Sequence, residues 1–128
     1  MAQPSEDLLR EMYACFARGD IPAYLDHCED SITFTVPGST SFSGTHTKAT
    51  FGDWIGKVMV LCGGQFREDV VDVFANDDHG AVVLDHFVTR DGKDYYYRVD
   101  HIYGLKDGKA TSFLERPGNE DEFNKIWS

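Results

Sequence analysis

The stretch KDYYYRVDHIYGLKDGKATSFLER, residues 93–116, decides the reading of this chain. Two runs of alternating apolar and polar residues flank Asp107-Gly108. An Asp-Gly pair in that setting favours a two-residue type I′ turn, because both turn positions need a positive φ. The turn sets Lys106 opposite Lys109. Counting back places Ile102 opposite Phe113 and Asp100 opposite Glu115, with Arg98 two positions from Asp100 on the same face.

Directly opposed carboxylates repel, so Asp100 and Glu115 must be solvated, share a proton, or be bridged by a cation such as Arg98. On a concave, partly dry face one acid would keep its proton and serve as a general acid. On a solvated face the same residues would be a cross-strand ion pair with no chemistry. Both readings stand at this point. The expected cavity is bounded by Trp54 and Phe113, with Tyr13, Phe34, Leu84 and Ile102 as further wall residues.

Working outward, residues 66–75 and 81–90 also read as strands, and the 81–90 strand meets the 93–106 strand at Asp91-Gly92. A two-residue turn there pairs Asp85 with Arg98. A three-residue loop instead puts His86 on the face of Arg98 and Asp100, and this is our working expectation. His86 would then relay a proton, although a lone histidine in an apolar strand also suits a packed core.

The first half is helical. Pro4-Ser5-Glu6-Asp7 opens a helix, with the Ser5 hydroxyl as cap, running to about Arg18 and stopped by Gly19. Asp20-Ile21-Pro22 opens a second, with Ile21, Tyr24, Leu25 and Cys28 on one stripe. A strand follows at residues 31–36, then a helix over 47–62, and a final turn docks Phe123, Ile126 and Trp127. Helices first and a meander of strands afterwards imply an α+β fold with helices on one face of an antiparallel sheet, in one domain spanning residues 1–128.

Composition narrows the functions. A net charge of −10 without a Lys/Arg cluster argues against nucleic-acid and anionic-membrane partners. No apolar run reaches the roughly 18 residues of a membrane span, and no leader pattern opens the chain, so a cytoplasmic, soluble protein is expected. Nine Phe, six Tyr and two Trp supply cavity walls. Cys15, Cys28 and Cys62 fall on apolar helix stripes as buried thiols, and no histidine pair shows metal-ligand spacing on one element, so neither metal nor cofactor is expected.

The element order, Arg18-Gly19-Asp20, Val36-Pro37-Gly38, Ser43-Gly44 and Lys106-Asp107-Gly108-Lys109 together resemble the nuclear transport factor 2-like superfamily over nearly the whole chain. The nearest branches are the SnoaL-like polyketide cyclases and ketosteroid isomerase. That resemblance implies a conical, strongly curved sheet with three helices over its concave face, a cystatin-like α+β barrel, and a homodimer formed through the outer sheet face. Val99-Asp100-His101-Ile102 is similar to the isomerase strand that carries a protonated aspartic acid, at Asp100 here. The isomerase's general-base aspartate falls at about Thr35, so that base is missing here, and its tyrosine has no unambiguous counterpart near Met12 or Tyr13. Arg98-Val99-Asp100 and Glu115 resemble acidic and basic residues of limonene epoxide hydrolase. His101 is similar to a histidine frequent in other members and lies on the face opposite Asp100, so only one of the two can line the cavity.

The resulting expectation is acid/base chemistry without a cofactor on a small apolar carbonyl or epoxide compound. Asp100 would be the acid or oxyanion donor, Glu115 the base, Arg98 the orienting cation and His86 the relay. The alternative is a non-catalytic ligand-binding or dimerisation module.

Overall fold

A computed structural model describes residues 3–128. Four helices and six strands follow one another as α1 (Pro4–Ala17), α2 (Ile21–Asp26), β1 (Cys28–Val36), β2 (Gly44–Thr47), α3 (Phe51–Leu61), β3 (Phe66–Ala75), β4 (His79–Arg90), β5 (Lys93–Lys106), β6 (Lys109–Pro117) and α4 (Glu120–Trp127). The strands form one curved, unclosed sheet in the order β2-β1-β6-β5-β4-β3. All neighbours are antiparallel except β1 and β6, which run parallel.

Local chemistry explains most of these boundaries. The α1 cap is the Gln3 side chain, which accepts from Ser5 N and Glu6 N, and not the expected Ser5 hydroxyl. Asp20 caps α2 through Ala23 N. That helix stops at Asp26, so Cys28 opens β1 and does not sit on a helical stripe. All three cysteines are buried and free. The short edge strand β2 was not anticipated from the sequence; it pairs Thr45 with Thr35 and His46 with Phe34. The final turn is a full helix, α4, capped by Asn119.

Both Asp-Gly turns take the conformation their sequence requires, with φ of 52° and 78° at Asp91 and Gly92 and 51° and 77° at Asp107 and Gly108. The first hairpin is therefore the two-residue form, with Arg90 opposite Lys93 and Asp85 opposite Arg98. This overturns the three-residue loop expected there.

The last hairpin begins as counted, Lys106 facing Lys109, but its register shifts between Gly104 and Leu105. Thr111 is the extra residue, and beyond it Tyr103 faces Phe113, His101 faces Glu115 and Asp100 faces Arg116. Gly104 permits the bulge. A Cβ at that position would lie 2.5 Å from Ser112 Oγ and 2.9 Å from Thr111 Oγ1.

The helices cover the concave face. Leu9, Met12 and Tyr13 of α1, Phe51, Trp54 and Val58 of α3, and Phe123, Ile126 and Trp127 of α4 are buried against Phe34, Leu84, Val99, Tyr103 and Phe113 of the sheet. Each such apolar side chain contributes roughly 1.5–3 kcal/mol by leaving water. Among the described residues no helix is long and apolar enough to cross a membrane.

Candidate active site

Curvature turns the alternate residues of β3 to β6 inward, where the chain places unusual polarity. Cross-strand pairing sets Glu68 of β3 beside His86 of β4, and His86 beside Tyr97 of β5. It also sets His101 of β5 beside Glu115 of β6. His86, His101 and Glu115 are buried at 3%, 6% and 6% exposure, which is tolerable only with hydrogen-bond partners.

Each imidazole has two such partners. His86 Nε2 lies 2.7 Å from Glu68 Oε2, and its Nδ1 lies 2.9 Å from the Tyr97 hydroxyl. His101 Nε2 lies 3.2 Å from Glu115 Oε1, and its Nδ1 lies 2.5 Å from the Tyr13 hydroxyl. Behind these, Trp127 Nε1 donates to Tyr97 Oη at 3.0 Å. Tyr24, Tyr103 and Tyr13 form a hydroxyl chain with links of 2.9 and 2.7 Å.

One assignment satisfies both sets. Tyr97 and Tyr13 donate to the Nδ1 atoms of His86 and His101, and each Nε2–H donates to its carboxylate. Burial, above all, pushes the Tyr13, Tyr24, Tyr97 and Tyr103 hydroxyls well above the ordinary phenol value, so they remain donors. At Glu68, burial is the largest influence and pushes the carboxyl up. The His86 hydrogen bond, with favourable electrostatics from the neighbouring His86 and His101 rings, outweighs it and holds Glu68 below its ordinary value.

The two imidazole rings lie 5.7 Å apart, edge to face, on the floor of a cavity of about 60 Å³. That is several times the roughly 10–15 Å³ one water needs. Its walls are aromatic and apolar, from Phe51, Trp54, Phe66, Phe113 and Phe123 with Ile55 and Met59. Trp54 is held by His46, stacked at 4.9 Å and 9°.

The structure thus divides the residues expected from sequence. Glu115, His86, Tyr13, Trp54 and Phe113 line the cavity. Phe34 and Leu84 are fully buried in the concave-face core, Phe34 packing on Phe51, Trp54 and Phe113. Asp100, Arg98 and Ile102 belong to the outer face, because β5 alternates regularly and buries Tyr97, Val99, His101 and Tyr103, while the Thr111 bulge shifts β6 by one residue so that Glu115 joins His101 on the inner face. Asp100 therefore does not face Glu115. Arg98 Nε instead donates to Asp85 Oδ1 at 2.7 Å, and Ile102 is 36% exposed.

His86 reaches the cavity although its expected hairpin was wrong, because the cavity face carries Tyr97 and His101 rather than Arg98 and Asp100. Of the two mutually exclusive residues, His101 is the one inside. Reading residues alone missed Glu68, Tyr97 and Tyr103. Glu68 was hidden because Asn76-Asp77-Asp78 does not fix the β3–β4 register as an Asp-Gly turn would.

Three solved structures share the architecture. TerC, co-crystallized with polyporic acid, superposes with a TM-score of 0.85 at 21% identity over 97% of this chain and 98% of that one. A nuclear transport factor 2-like protein from Burkholderia pseudomallei gives 0.87 at 19% identity over 99% of each chain. A candidate polyketide cyclase from Xanthomonas campestris gives 0.71 at 19% identity over 98% and 97%. No curated protein sequence matches the chain. The family model for the SnoaL-like domain matches residues 9–113, and with that match the chain belongs to the SnoaL-like domain family.

Proposed function

We propose that this protein is an enzyme that performs side-chain acid/base chemistry on a small, largely apolar carbonyl or epoxide compound. Isomerisation, aldol-type cyclisation and hydrolytic ring opening are the reactions in view. The observation that carries this reading is the pair of buried His–carboxylate units, His86–Glu68 and His101–Glu115, facing one another beneath aromatic walls. A substrate entering between the rings would displace the tyrosine hydroxyl from the Nδ1 of one imidazole and exchange a proton there, while the carboxylate at Nε2 orients the ring and stabilises the imidazolium. Tyr13, a hydroxyl that keeps its proton, would on that displacement be free to donate to a developing oxyanion.

TerC and the Xanthomonas protein support a small-molecule ligand by analogy of fold. A homodimer through the outer sheet face is part of the proposal, supported by a cross-strand row on that face in which Phe74 and Ile102 are exposed. Sedimentation equilibrium tests it.

Turnover of a panel of apolar ketones and epoxides tests the chemistry. Wild type should convert at least one compound, and His101→Gln and His86→Gln should each lower kcat on the order of 10²-fold with the fold intact by circular dichroism. Conversion that survives both substitutions would refute it. A ligand-binding role without catalysis is favoured if a panel compound binds and is released unchanged.

A further inference from the structure

Glu68, His86 and His101 each offer a ligand atom within 4.8 Å of the other two. We propose that these three side chains form a buried site for a divalent transition-metal ion, which on binding occupies the proton-transfer groups and switches the acid/base chemistry off. The regulatory half rests on the proposed function, whereas the binding half rests on geometry alone.

Two imidazoles with a carboxylate suit zinc, iron(II), cobalt(II) or manganese(II) better than calcium or magnesium, which prefer all-oxygen sets. Bonds near 2.0–2.2 Å put ligand atoms roughly 3.3–4.2 Å apart, so side-chain shifts under about 1 Å complete the site. The three residues come from adjacent strands β3, β4 and β5, a rigid base. On metal binding at Nε2 each ring carries its proton on Nδ1 instead, and the Tyr97 and Tyr13 hydroxyls beside those atoms turn from donor to acceptor, still holding each ring with Nε2 toward its carboxylate. Glu115, 3.2 Å from His101, is available as a fourth ligand. Two carboxylates, two neutral imidazoles and one dication sum to zero charge, which suits a cavity with apolar walls.

The other cluster among the described residues, Glu11, Cys15 and His27, differs in one decisive way. Arg18 Nη2 lies 3.3 Å from Cys15 Sγ and 3.6 Å from Glu11 Oε1, so a guanidinium already stands where a cation would go.

Cobalt(II) titration of the full chain, read by visible d–d absorption, is the test. One ion per chain should bind, with Glu68→Gln, His86→Gln and His101→Gln each weakening affinity about 100-fold or more. Tyr97→Phe, which spares the ligands, should weaken it about 10-fold, and His27→Gln should change nothing. Binding that ignores the three ligand substitutions, or is lost in His27→Gln, overturns the site, as does the lack of any d–d band in wild type. On any compound the protein converts, chelator-treated protein should turn over and stoichiometric cobalt should inhibit it. Cobalt binding without inhibition removes the regulatory half. If the chelator-treated protein converts no compound while cobalt still binds, the acid/base reading falls but the metal site stands.

Discussion

The two faces of β5 carry similar residue types to opposite ends. On the outer face Arg98 meets Asp85 at 2.7 Å, with Arg98 half exposed. On the inner face His101 meets Glu115 at 3.2 Å with both side chains under 10% exposed. Outside, water solvates each charge whether or not it is paired, and the pair contributes little. Inside, the partner replaces water, so each group depends on the other for its hydrogen bond. The difference between an ornament and a candidate active site is one residue of register.

The largest effect should follow from breaking an inner pair. Glu68→Ala leaves the His86 Nε2–H without its acceptor and should destabilise the fold by about 3 kcal/mol in urea unfolding. Because Glu68 is held below its ordinary value when folded, its stabilisation is full above the unfolded carboxylate value. It fades as pH falls through the lower folded value, so mutant and wild type should converge in acid. A pH-independent difference would contradict this account.

Next comes the bulge. Gly104→Val puts a Cβ against Ser112 and Thr111 and should cost about 1–3 kcal/mol in the same measurement. A neutral result would mean that the Thr111 bulge does not depend on the glycine.

Smallest is the outer pair. Asp85 is held below the usual aspartate value chiefly by the hydrogen bond from Arg98, with Tyr96 adding a second. Its contribution also belongs to neutral pH and is lost as pH falls through the folded value. Asp85→Ala should shift the thermal midpoint only slightly at low salt, and the shift should vanish at high salt. A large, salt-resistant loss would show that the outer face is not solvated as described.

These contrasts also explain what could be read in advance. The α+β class, the long strands and the Asp107-Gly108 turn followed from periodicity and turn chemistry, which act within a few residues, whereas at Asp91-Gly92 the expected three-residue loop gave way to the two-residue form. The Thr111 bulge did not, since straight counting from Asp107-Gly108 ignores Gly104, a glycine in mid-strand that marks such irregularities. That omission put Asp100 where His101 belongs. Glu68 was hidden because its partner lies across a loop that leaves register open. The family resemblance supplied His101 but could not choose between it and Asp100 without knowing which face of β5 turns inward.

The central claim is that the bulge brings Glu115 to His101 on the inner face of β5, so that His101 and not Asp100 meets the chemistry. Comparing kcat/KM of Asp100→Asn and His101→Gln on one converted compound tests it most directly. The account predicts an unchanged value for Asp100→Asn and a loss on the order of 10²-fold for His101→Gln. A loss confined to Asp100→Asn would contradict it.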